Sequence, residues 1–470
     1  MNAMPAAALL AETLRLVTRR YGLPPFEAEA DASHDARPAT TLALTIEQAR
    51  RALACNATPD DALRAVFVDA LARLIGEALR TDTAFQAMLL RHRVAHVREF
   101  ASLAAHAERD RRSIFANVNA IAHPARQART ADEAQRAALA RVHASAASAS
   151  WAQLREAARD LARIANDAGL RHGLERLVHN PALAHLERLA ALSADAAVQQ
   201  YQALWDCQGP RPGSADAVAQ GSASQQRGAA VEALAAQALE ALAARLEAEE
   251  RASGIVSGSG HHEKHYRVVT SMRVPASIPA SAERAKSEWD AVLLRRAPAA
   301  NPAAAQDVWH VCLLVEAKAS VDAATTDFPR LLRGLRLLAH ANPDAAYAFE
   351  TQQGAVRLAG ASLHALSIDE SAVRGTVLYC SDAPAEPAPR LLGAASRMQL
   401  LSAPASLAFA STAADGREPD ARDLDAVWQE LLASPRWAGV LNQYPLLDQV
   451  RGLMVHTDDL LAAIGAARAA

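Results

Sequence analysis

The chain has almost no lysine. Among 470 residues there are 49 lysines and arginines together, and only Lys264, Lys286 and Lys318 are lysines, so 49 − 3 = 46 are arginines. Aromatic residues are also few, at 4% against 51% hydrophobic residues overall, so alanine carries much of the apolar content and favours helix. Neither sign of charge is in large excess. The formal net charge of −3 excludes a global basic field for binding nucleic acid without specificity, and any polyanion site has to be local. The four cysteines, Cys55, Cys207, Cys312 and Cys380, contain no CxxC pair. This argues against a zinc ribbon or a disulfide framework and fits a reducing cytoplasm. Cys312 lies in an apolar segment with no nearby base and reads as a small buried hydrophobe. No apolar run approaches the roughly 18 residues of a membrane span. The early stretch MPAAALLAETLRLVTRR is interrupted by Glu12 and Arg15 and reads as an amphipathic helix rather than a signal peptide. A soluble, cytoplasmic protein without a membrane partner is expected.

A chain of this length should divide into two or three domains. Up to about Trp205 the apolar residues recur three and four apart, as in a helical bundle. Thr58-Pro59-Asp60-Asp61 reads as an N-cap followed by a proline and dipole-favourable acids, and Thr130-Ala131-Asp132-Glu133 as a capping box. Residues 206–226 collect Gly, Pro, Ser and Gln without periodicity, the composition of a linker after a helical domain at 1–205. Then comes a long helix, AAVEALAAQALEALAARLEAEERA, and strand-like segments HYRVVTSMRV, EWDAVLLRR and DVWHVCLLVEAK. A second helix over AATTDFPRLLRGLRLLAHA and strands at AAYAFE and GTVLYCS complete an α/β domain at 227–385. Residues 386–470 read as a mostly helical extension.

Why the chain keeps a lysine in VCLLVEAKAS is the sharpest question its residues pose. If EWDAVLLRR and DVWHVCLLVEAK form an antiparallel hairpin with Arg296 opposite His310, Asp290 falls opposite Glu316. Opposed residues project to one face with Cβ atoms about 5 Å apart. Alternation puts Lys318 on that face too. Two carboxylates forced together at neutral pH repel unless a cation joins them, and a hard divalent ion, Mg²⁺ or Mn²⁺, suits oxygen ligands.

These residues resemble the PD-(D/E)xK nuclease superfamily over roughly 225–350. Asp290 matches its first acid, Glu316-Ala317-Lys318 its E-x-K, and Glu232 its helical glutamate, within an αβββαβ order; Trp289 stands where the family has proline. The resemblance implies a divalent-metal-dependent nuclease acting on DNA, with Asp290, Glu316 and Glu232 holding the ion. Lys318 would then orient the attacking water, take its proton or stabilise the transition state. The alternative is a catalytically silent scaffold or interaction module of the same fold. A third reading makes the helical half the functional part. Lys264 and Arg330, Arg333 and Arg336 are candidate phosphate contacts, although arginines at this spacing also suit a solvated helix face. His261, His262 and His265 do not match HExxH spacing and make a poor metal site in a glycine-rich loop. The helical regions could support a homo-oligomer.

Overall fold

A computed structural model describes residues 4–26, 37–210, 214–252, 264–298 and 307–466. The fold is mixed α/β, with a large helical part and a seven-stranded sheet. Two compact units share the chain: Met1–Arg73, Gly213–Leu400 and Leu424–Ala470 form one, and Leu74–Pro212 with Leu401–Asp423 the other.

The second unit is helical. One apolar core joins Ile114, Val118, Leu139, Val142, Leu154, Leu161, Leu174 and Leu183, residues at helical spacing on successive helices. Helix starts here follow the strongest local acceptor. Asp132, not Thr130, caps Glu133–Ala147, its carboxylate accepting from the Ala134 and Gln135 amides at 2.9 and 3.3 Å, while the Thr130 hydroxyl donates to the Arg126 carbonyl. In the first unit Asp60 likewise replaces Thr58 as the capping residue, accepting from Leu63 N at 2.7 Å before Asp61–Thr81.

The first unit is a three-layer arrangement. Helix α1 (Met4–Leu16) and the 38-residue α2 (Ala215–Ala252) cover one face of the sheet. The strands are β1 (Tyr266–Arg273), β2 (Glu288–Arg296), β3 (Val308–Ala317), β4 (Ala346–Phe349), β5 (Val356–Ala359), β6 (Val377–Ser381) and β7 (Met454–His456). Helices α3 (Val321–Ala339) and α4 (Gln443–Leu453) cover the other face. β1, β2 and β3 form an antiparallel meander. The first two residues of β3 then run parallel to β5 and its last four parallel to β6, which is followed by β7. Leu239, Leu242 and Leu246 of α2 meet Leu293, Leu313 and Val315 on one face; Phe328, Leu331 and Leu335 of α3 meet Val292, Leu294 and Leu314 on the other. Each such side chain, fully buried, contributes roughly 1.5–3 kcal/mol.

Three boundaries differ from expectation. Residues 215–226 are not a linker but the first turns of α2; their side chains are mostly exposed, so this stretch lacks the apolar stripe by which a helix is recognised. Residues up to Arg73 belong with the α/β unit; at their start Leu10, Leu14 and Val17 share one apolar cluster with α2 and with the helix Thr457–Ala466. The 424–470 stretch is no appendage either, since β7 extends the sheet beside β6.

Candidate functional site

The acids are brought together by the end of the β-meander. Around it the register pairs Ala291 with Val315, Val292 with Leu314 and Leu293 with Leu313, the same sum that sets Asp290 across from Glu316. Towards the hairpin loop the register shifts by one at Leu293/Leu294, so Arg296 faces Trp309 rather than His310. Cys312 is the extra residue, a β-bulge. Burial pushes its thiol up to about 11, in keeping with a packing role.

Asp290 Oδ2 accepts the Ala317 amide at 2.8 Å, which ties β2 to the end of β3. Lys318, whose own amide donates to the Cys380 carbonyl at 2.9 Å, reaches Glu316 Oε2 at 3.0 Å and Asp290 Oδ2 at 3.8 Å. Helix α3, capped by the Ser320 hydroxyl directly after the E-x-K stretch, adds Asp327, with Oδ2 at 3.7 Å from Lys318 Nζ. The Tyr379 hydroxyl of β6 donates to Asp327 at 3.4 Å. In chain order the elements here are α2, the strands β1, β2 and β3, helix α3, the antiparallel pair β4 and β5, two short helices, and then β6, which lies parallel to the end of β3.

A second lysine enters the cluster. Lys286, just before β2, bonds Glu316 Oε2 directly and lies 4.0 Å from Asp327. Two of the chain's three lysines thus converge on one carboxylate, which is fully buried. The scarcity of lysine that drew attention to Lys318 applied equally to Lys286. Asp327 and Tyr379 carried no such signal, because an acid in an amphipathic helix and a tyrosine in a strand are ordinary.

Five groups of opposite sign, three carboxylates and two ammonium groups, set the electrostatics. Burial, and then Asp290, push the Glu316 carboxyl up to about 8 against the lowering by Lys286 and Lys318. Burial acts to lower Lys318, but Glu316, Asp290 and Asp327 together outweigh it and raise its pKa. Burial raises the Tyr379 hydroxyl, with Asp327 and Glu316 adding to the effect. Glu232 on α2 is exposed yet close enough to feel the site: burial of part of its side chain, then Asp290, raise its carboxyl.

Of the expected phosphate contacts, Lys264 is not brought to the acids. It precedes Tyr266, which pairs with Arg295 at the far end of the hairpin, roughly 20 Å along the strands from Asp290 at about 3.3 Å per residue. His265 shares that end, and His261 and His262 lie outside the described residues. Arg330, Arg333 and Arg336 are exposed on α3, and Arg333 Nε donates to the Arg284 carbonyl at 2.8 Å, so part of its guanidinium serves the fold.

No group of three His, Cys, Asp or Glu side chains able to hold a metal ion occurs among the described residues. A smaller requirement is met. Glu316 Oε1 is buried without a hydrogen-bond partner, and Asp290 stands beside it on the neighbouring strand. One or two carboxylates, with water and substrate phosphate, are what Mg²⁺ ordinarily takes. Family models, curated proteins and solved structures yield no match to the chain. No helix among the described residues is long and apolar enough to cross a membrane.

The Asp290–Ala317 bond gives a prediction. Asp290→Asn keeps an oxygen for the Ala317 amide and should fold as stably as wild type in metal-free buffer. Asp290→Ala leaves that amide without its acceptor and should lose about 1–3 kcal/mol. Urea denaturation of both variants checks this, and equal stability of the two would remove the structural role of the bond.

Proposed function

We propose that the α/β unit is a divalent-metal-dependent nuclease of PD-(D/E)xK type that hydrolyses phosphodiester bonds, with DNA the favoured substrate. The observation that carries the reading is the meeting of Asp290, Glu316 and Lys318 at one end of the antiparallel meander, with Lys318 Nζ within 4 Å of both carboxylates. Asp290 and Glu316 Oε1 are the oxygens offered to Mg²⁺ or Mn²⁺, with Glu232 the nearest further carboxylate on α2. The ion, when bound, offsets charge on the phosphate and activates water. Lys318 keeps its proton, because the surrounding carboxylates favour its charged form, and its ammonium is suited to holding a phosphate oxygen or neutralising developing charge. Asp290, fixed by the Ala317 amide, keeps its carboxylate oriented without needing the ion to do so.

A second reading, the silent scaffold, is favoured by one specific contact: the Lys286 ammonium already occupies Oε2 of Glu316. The two readings differ in whether the acids take an ion. An ion that binds only the folded chain stabilises it by about 2.7 kcal/mol at a hundredfold excess over its Kd. Mg²⁺ or Mn²⁺ is therefore expected to raise the thermal midpoint of wild type and not that of Glu316→Ala. Equal shifts in both would sink the metal site, and no shift in either favours the scaffold.

A further inference from the structure

We propose that Lys286 is a built-in cation of the acid site, a positioning residue that occupies Oε2 of Glu316 and so restricts the site to a single divalent ion held through Oε1 and Asp290. The proposal rests on the metal-site reading and goes beyond it in assigning this lysine.

Three features hold Lys286 where it is. Its amide donates to the Arg330 carbonyl of α3 at 3.1 Å, and Arg333 Nε, four residues after Pro329, donates to the Arg284 carbonyl at 2.8 Å. Next to Arg333 α3 presents Gly334, where a Cβ would come within 2.8 Å of the Lys286 Cβ. Only glycine allows the backbone before β2 to lie this close to the helix. The segment is clipped to α3 at Arg284 and at Lys286 itself, and the lysine side chain, 6% exposed, points into the cluster.

The chemistry follows from the placement. A carboxylate that holds one divalent ion on each of its two oxygens needs both of them free of other cations. Here Oε2 carries contacts to both Lys286 and Lys318, whereas Oε1 is buried and has no hydrogen-bond partner. An ammonium at Oε2 supplies positive charge on the side where a second ion would have to sit, and it repels any ion that approaches there. Lysine serves this purpose better than the arginine used elsewhere in the chain, because a compact ammonium fits between Glu316 and Asp327 while a planar guanidinium needs a wider space.

Mn²⁺ titration of the full chain, followed by calorimetry and by the loss of the free-ion paramagnetic signal, tests the proposal without any turnover. Wild type is expected to bind one ion per chain at this site. Lys286→Met should bind Mn²⁺ about tenfold more tightly or take up a second ion, because an opposing charge has been removed. Tightening is the informative direction, since mere damage to the fold would weaken binding. If Lys286→Met does not fold, Gly334→Ala serves instead: it keeps every charged group, pushes the Lys286 segment away from α3, and is expected to tighten Mn²⁺ binding in the same sense. Binding by the variants alone also supports the proposal. Equal affinity and stoichiometry in wild type and variants overturn it while leaving the metal site standing. Absence of Mn²⁺ binding by all of them overturns the metal-site reading and the proposal with it.

Discussion

Replacing Lys318 with arginine is expected to cut the rate of DNA cleavage by a factor on the order of 10²–10⁴, the loss typical of a positioned group at a reacting centre. The chain uses arginine for 46 of its 49 basic residues, so a simple counter-charge to Glu316 would tolerate the change. The surroundings of Lys318 do not suit a guanidinium. Its Nζ lies 3.0 Å from Glu316, 3.7 Å from Asp327 and 3.8 Å from Asp290, and its side chain is only 17% exposed. A broad, planar group with fixed donor directions cannot occupy the point where a compact ammonium meets three carboxylates. Cleavage of plasmid and linear DNA with Mg²⁺ and with Mn²⁺ measures the effect, with circular dichroism to establish that the variant is folded. Full activity in Lys318→Arg would reject a specific role for this lysine, and an inactive wild type on every nucleic acid would favour the scaffold.

The second large effect is a pH dependence of stability centred on Glu316. Its carboxyl has an ordinary value of 4.5 and is pushed up to about 8 in the fold, first by burial and then by Asp290. Between these values the folded chain holds a proton that the unfolded chain has released. Stability contributed by this group is therefore highest at low pH and declines as pH rises from about 4.5 to about 8. One proton corresponds to a slope of at most about 1.4 kcal/mol per pH unit. Glu316→Gln resembles the protonated form in shape and hydrogen bonding and cannot ionise. Its stability relative to wild type, measured by urea denaturation without divalent ions, should improve steadily from pH 5 to pH 8, by several kcal/mol in total if the whole window is felt. Parallel curves for the two proteins would show that Glu316 is ionised throughout, held so by its two lysines.

Much of this site could be read along the chain. EWDAVLLRR is the strand Glu288–Arg296 with the bounds expected of it, and the alternation of β2 and β3 was sufficient to bring Asp290, Glu316 and Lys318 together. The expected pairing of Arg296 with His310 was off by one. The site survived because the bulge at Cys312 compensates the shift before the acids are reached. A bulge leaves no mark in an apolar run such as VCLLV, since either register buries apolar side chains.

Local features were written in the residues themselves: period-two runs for the meander, helical spacing for the N-terminal half and for α3, and a lysine too rare to be incidental. Whatever depends on distant partners was settled by packing in three dimensions. Lys286 joins Glu316 only because Gly334, far along the chain on α3, lets two backbones approach, and no pattern of hydrophobicity encodes that contact. Residues 215–226 become helix by continuing α2 without an apolar face of their own. Leu10, Leu14 and Val17 near the start and Val455, Leu460 and Ile464 near the end join one apolar cluster with α2 and the sheet, because burial is satisfied by whichever surface fits, near or far in sequence.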